Sequence, residues 1–206
     1  MVKLIRKDLL ALKMYFLFVV AYAAIFGIFA VSPFSSVLIA VLPPIMMTVF
    51  AASLESRNKS MLFVGSLPVR RQQIVAAKYA SVLVYLVMGV ALVGVVYAVN
   101  VYALERDFPI TDMRLSLSAA IALSFAAVYY PVQFWLGVRY SSFVTFLVIF
   151  LTAALIGGLG GAADSLEADW PSRTGLLAGL PFAGLVLLYL SYRASLAIFL
   201  RKDMEG

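Results

Sequence analysis

Long uncharged apolar stretches alternate along the chain with short segments that hold almost all of its charge. No charged residue falls between Lys13 and Glu55. A bilayer crossing takes about 20 mostly apolar residues, so that stretch holds two helices. Val31-Ser32-Pro33-Phe34-Ser35 supplies the turn between them. Four further charge-free stretches cover residues 79–104, 115–138, 140–163 and 174–192. Their apolar residues run on without period-two alternation, which rules out a membrane β-barrel. The pattern predicts an all-α integral membrane protein of six transmembrane helices, a single transmembrane domain over residues 1–206.

Lys and Arg orient the spans, because cytoplasmic loops retain the cations. Thirteen of the 16 lie in one set of connecting segments, and Arg106, Arg114 and Arg173 make up the other. That second set also carries Glu105, Asp107, Asp112, Asp164, Glu167 and Asp169. Both termini are therefore expected in the cytoplasm, with short acidic loops outside. A five-span arrangement would place Arg201-Lys202 on the outer side, against the same rule.

Segment 1–13 has its own pattern. At 100° per residue Lys3, Arg6, Lys7 and Lys13 share one side, and Leu4, Ile5, Leu9, Ala11 and Leu12 the other. Asp8 and Leu10 are the exceptions. This predicts a basic amphipathic helix on the inner leaflet. A cleaved signal peptide is not expected, since the apolar run passes Val31 without a small-residue cleavage site.

Composition narrows the chemistry. Hydrophobic residues make up 64% of the 206 and charged ones 13%, against roughly 45–50% and about 25% in soluble domains. Cys and His are both absent. Disulfides, Cys/His zinc sites and Ser–His or Cys–His nucleophiles are thereby excluded. The net charge of +6 comes with no basic run longer than two residues. It fits cytoplasmic loops held against anionic lipid, and no nucleic-acid partner is expected.

No Asp, Glu, Lys, Arg or His sits well inside a span, so the chain offers no proton or sodium relay. An intramembrane enzyme would need such a group too. Gly157-Gly158-Leu159-Gly160-Gly161 lacks the Lys-Ser/Thr ending of a phosphate-binding loop. The intramembrane candidates for a substrate pathway are Pro43, Pro44, Asn100, Pro131 and Gln133. Prolines free backbone carbonyls, and the two amides are the most polar side chains there. Thr48, Ser53, Ser81, Ser124 and Thr152 add hydroxyls, expected to bond between helices or to line a path.

The long inner loop from Glu55 to Lys78 carries the strongest signal. Arg57 and Lys59 precede the apolar cluster Met61, Leu62, Phe63 and Val64, and Gly65-Ser66 breaks the chain after it. Pro68, Arg70, Arg71, Ile74, Val75 and Lys78 then read as a helix entering span three. Apolar residues flanked by cations can lie on the membrane surface or fill a groove in a soluble partner.

The stretch Ser66-Leu67-Pro68-Val69-Arg70-Arg71-Gln72-Gln73-Ile74-Val75-Ala76-Ala77-Lys78-Tyr79 resembles the inner loop of ABC-2 type permeases. The opening Leu4-Ile5-Arg6-Lys7-Asp8-Leu9 is similar to that family's basic N-terminus. Within the family the likeness is to the small permeases of phenol-soluble modulin exporters. The resemblance implies a subunit without its own ATPase. It would pair with a second permease chain, identical or related, and dock a cytoplasmic ABC-type ATPase that binds ATP and Mg. It also implies that Met61–Val64 enter a groove on the ATPase while Arg57, Lys59, Arg70 and Arg71 pair with acids around it. The turn at Arg139 would be a second contact. One departure stands out: the outer segment 160–173 is short, acidic and Gly-rich, where larger members carry substantial outer structure. The expected activity is export of amphipathic peptides, hydrophobic drugs or lipid-like molecules from a bacterial cytoplasmic membrane. The alternative is a non-transporting scaffold that docks a cytoplasmic partner.

Overall fold

The structure, a computed structural model, describes residues 9–10, 12–29, 33–57, 71–108, 110–136 and 174–201, with isolated positions between 143 and 154. Five helices make up the described part. They are α1 (Lys13–Ala24), which runs on as a π-turn over Ile25–Phe29, α2 (Pro33–Arg57), α3 (Arg71–Ala98), which ends in a π-turn over Val99–Ala103, α4 (Asp112–Leu136) and α5 (Thr174–Arg201). Long apolar runs take this form because a helix pairs its backbone groups within the segment, and lipid offers no other partner. Among the described residues four helices are long and apolar enough to cross a membrane, over Ser36–Leu54, Gln72–Ala103, Asp112–Leu136 and Gly179–Leu200. A shorter apolar helix covers Lys13–Ile28. The expected fifth span, 140–163, lies almost wholly outside the described residues.

Cross-helix neighbours fix the directions. Ile39 of α2 shares a cluster with Val96 of α3, and Met47 shares one with Tyr85, so these two helices are antiparallel. Val19 of α1 packs with Tyr85, and Gly27 faces Val96, so α1 and α3 are parallel. On α5, Gly184 lies against Ala120 and Leu123, Ser191 bonds Ala127, and the Phe199 ring meets Phe134. The two numbers rise together, so α4 and α5 run parallel, and theirs is the most extensive helix pairing in the structure.

Helix α2 is the central element. Val37, Val41, Ile45, Val49 and Ala52 recur at i+3 and i+4 and form one buried stripe in the main core, with α3, α4 and α5. Ile39 and Ala40 face a second cluster, and Met47 a third with Leu12 and Val19. By contrast α3 and α5 turn large apolar residues outward, among them Val87 and Val95 on α3 and Phe182, Tyr189 and Leu190 on α5. Outward apolar faces suit a hydrocarbon surround.

Of the expected N-terminal amphipathic helix, Leu9, Leu10, Leu12 and Lys13 are described. Leu12 is buried and Leu9 packs beside it, while Leu10 is exposed.

Candidate functional site

Of the residues expected to couple to a partner, Arg57 ends α2 and Arg71 begins α3. Lys59, Met61, Leu62, Phe63, Val64, Arg70 and Arg139 lie outside the described residues. The 58–70 segment is thus framed by two long helices. The helix expected at the end of the loop forms the first two turns of α3 and runs unbroken into the span.

Two turns into α3, a polar cluster joins three helices. The Tyr79 hydroxyl lies 2.7 Å from Ser191 Oγ and 2.7 Å from Ser195 Oγ, both on α5. Ser191 Oγ donates to the Ala127 carbonyl of α4 at 2.6 Å. Each hydroxyl has one proton, so the direction of every bond follows. Ser191 spends its proton on Ala127 and accepts from Tyr79. Tyr79 has then spent its own and accepts from Ser195. The chain runs Ser195 to Tyr79 to Ser191 to the Ala127 carbonyl, and all three side chains are buried. The Tyr79 ring is flanked by Tyr130 at 5.2 Å and, edge-on, by Tyr192 at 5.5 Å. These distances suit favourable aromatic pairing. Lys78, next in sequence, is also buried.

Midway along α2, Pro43 and Pro44 are buried within the chain. Proline has no N–H, so the i−4 carbonyls of Ile39 and Ala40 lose their helix partners. The Pro44 ring sits against Gly89 of α3, and Thr48 Oγ1 donates to the Pro44 carbonyl at 2.8 Å. Val41, Ile45, Met47 and Thr48 all point into this chain's own core. The notch at Gly89 gives the Pro44 ring room to pack inward.

At the other end of the bundle Asn100 is completely buried. Its Nδ2 donates to the Gly27 carbonyl of α1 and to the Val96 carbonyl of its own helix, each at 2.9 Å. Both π-turns meet here, and the amide binds them together. Asn100 thus joins α1 to α3 inside the chain. Pro131 and Gln133 of α4 are half-buried, and Trp135 beyond them is exposed.

The hydroxyls named from sequence behave differently from expectation where their bonds are seen. Thr48 and Ser81 donate to carbonyls four residues back in their own helices. Tyr79, Ser191 and Ser195, which the pattern reading passed over, do bond between helices. A signal was present: Ser191 and Ser195 are four apart, so they share one helix face.

Most charged side chains in the described helices lie in their terminal turns, while Lys78 and Arg193 lie about two turns inside α3 and α5. A bundle of long apolar helices with outward apolar faces and a mainly apolar interior is that of a multi-pass membrane protein. A family model described as ABC-2 family transporter protein matches residues 3–200, and the chain belongs to that family. It is a membrane component of a transporter. No curated protein and no solved structure gives a match.

Proposed function

We propose that the chain is the permease subunit of an ATP-driven exporter in a bacterial cytoplasmic membrane. It spans the bilayer six times with both termini inside. The energy comes from a separate ABC-type ATPase that binds ATP and Mg and docks on the 55–78 loop. Two permease chains, identical or related, form the working unit. The cargo class is amphipathic peptides, hydrophobic drugs or lipid-like molecules. The likeness to phenol-soluble modulin permeases favours amphipathic peptides within it.

Family membership across residues 3–200 is the observation that carries this reading. Three features support it. The parallel run of α4 and α5 suits a return span at 140–163 between them. The 37 residues between them are enough for a crossing of about 20 plus two turns. Apart from Lys78 and Arg193, the charged side chains of the described helices lie in their terminal turns, so energy from a partner suits them better than an ion gradient. Third, the 58–70 segment is framed by α2 and α3, so a protein docked there would act directly on the bundle.

The test is co-purification of the chain with the ABC-type ATPase encoded beside it, followed by ATP hydrolysis measured with amphipathic peptide added. Stimulated hydrolysis in the complex is expected. An ATPase that binds yet never responds to cargo would turn the reading toward a scaffold.

A further inference from the structure

We infer that Tyr79 is the positioning residue that carries movement of the 55–78 loop into α5 and α4. The inference rests on the reading of that loop as an ATPase dock. Helix α3 is continuous from Arg71 through Tyr79, so displacement at its start reaches Tyr79 about 12 Å away as movement of one rigid rod. At Tyr79 the rod is fastened by bonds of fixed direction. Its hydroxyl gives a proton to Ser191 and takes one from Ser195, and Ser191 passes the link to the Ala127 carbonyl of α4. Apolar contacts alone would let three helices slide. Buried hydroxyls have no water to turn to, so they hold a single register.

The loop's other arm is built differently. Helix α2 lacks two of its own hydrogen bonds at Pro43-Pro44. It is the compliant arm, whereas α3 is the stiff one. A push on the loop is therefore taken up by bending in α2 and transmitted without loss by α3. Tyr79 is where that transmission leaves α3. Flanked by Tyr130 and Tyr192, its ring keeps the hydroxyl aimed at α5 whatever the partner does.

Tyr79→Phe keeps the ring and both aromatic contacts and removes only the hydroxyl. Membrane insertion and ATPase co-purification are expected to match the unmodified chain. Export of a dansyl-labelled basic amphipathic helical peptide, counted per ATP hydrolysed, is expected to fall about fivefold, the worth of one net hydrogen bond. Adding Ser191→Ala and Ser195→Ala should deepen the loss little, because all three groups serve one network. A second readout needs no partner. The chain has no native cysteine, so spin labels can be placed through Gln73→Cys on α3 and Ala197→Cys on α5, both exposed. In lipid nanodiscs the label-to-label distance should be narrowly distributed in the parent and broadened by Tyr79→Phe. An unchanged export-to-hydrolysis ratio in a complex that forms and transports overturns the inference and leaves the docking reading standing. Unbroadened label distances also overturn it. A parent chain that recruits no ATPase overturns the docking reading, and transmission through Tyr79 falls with it.

Discussion

Gly89 of α3 faces Pro44 of α2 so closely that a Cβ placed on it would stand 2.9 Å from the proline Cδ. The approach depends on both residues. Glycine leaves the hollow, and the rigid proline ring fills it. Gly94, five positions on, has nothing within 4 Å of its own Cβ position. Gly89→Ala is therefore expected to destabilise the bundle by about 1–3 kcal/mol through overpacking. Gly94→Ala should stabilise it by about 0.4–1 kcal/mol, since it restricts only the unfolded chain and favours helix. Unfolding midpoints in one detergent, read by circular dichroism, compare the two directly. Equal shifts of the same sign would contradict the close contact.

Past the π-turn of α3 the chain reverses at Glu105, whose φ of 51° is left-handed. The reversal is closed by the Arg106 N–H, which donates to the Asn100 carbonyl at 2.9 Å. A side chain in this conformation costs about 1 kcal/mol that glycine does not incur. Glu105→Gly is expected to raise stability by about 0.5–1 kcal/mol, and Glu105→Val to lower it by at least as much. The side chain is exposed, so packing does not obscure the backbone effect. Thermal unfolding of the two variants in parallel is the measurement.

Asn100 and Thr48 are both fully buried polar residues but bond in different ways. Asn100 reaches across to the Gly27 carbonyl, whereas the Thr48 hydroxyl bonds its own helix. Cross-helix bonds in membranes contribute on average ~0.6 kcal/mol and up to ~1.7. Asn100→Ala also leaves a cavity, so a loss of about 1–2 kcal/mol is expected. Thr48→Val should stay within about 0.5 kcal/mol, because it gives up only a bond inside one helix. Reversible unfolding in mixed micelles checks both, and Thr48→Val proving the costlier would refute the assignment of these roles.

The sequence carries the helices well and their joints poorly, for a physical reason. Charges mark where apolar runs must stop, so the starts of α4 and α5 fall within a turn of the stretches drawn from Lys, Arg, Asp and Glu alone. The π-turns at Ile25–Phe29 and Val99–Ala103 have no comparable local mark. They become visible only when Asn100 is found bonded to Gly27, a pairing of residues 73 positions apart. Pro43-Pro44 reads from sequence as a place where backbone carbonyls are freed, and both prolines do lie inside helix α2. Where the rings point depends on Gly89, and one local pattern cannot supply that. The Tyr79 cluster is intermediate. The spacing of Ser191 and Ser195 is legible, whereas their partner on α3 is set by tertiary packing.

The apolar residues Met61, Leu62 and Phe63 should decide whether the chain meets its ATPase. They follow Arg57 and Lys59 and precede Arg70 and Arg71, so an apolar plug would sit within a ring of cations. At protein interfaces buried anchors of this kind contribute about 2 kcal/mol or more each, while charges at the rim contribute less and mainly guide association. Replacing all three with Ser is expected to weaken binding at least a thousandfold, and so to abolish co-purification. The three substitutions fall in the loop and not in an apolar span, so membrane insertion and the unfolding midpoint should hold. Replacing Arg57 and Lys59 with Gln should leave the complex intact but slow its formation at low salt, the difference narrowing as added salt screens the charges. Undiminished recovery of the ATPase with the triple variant would place the dock elsewhere on the chain.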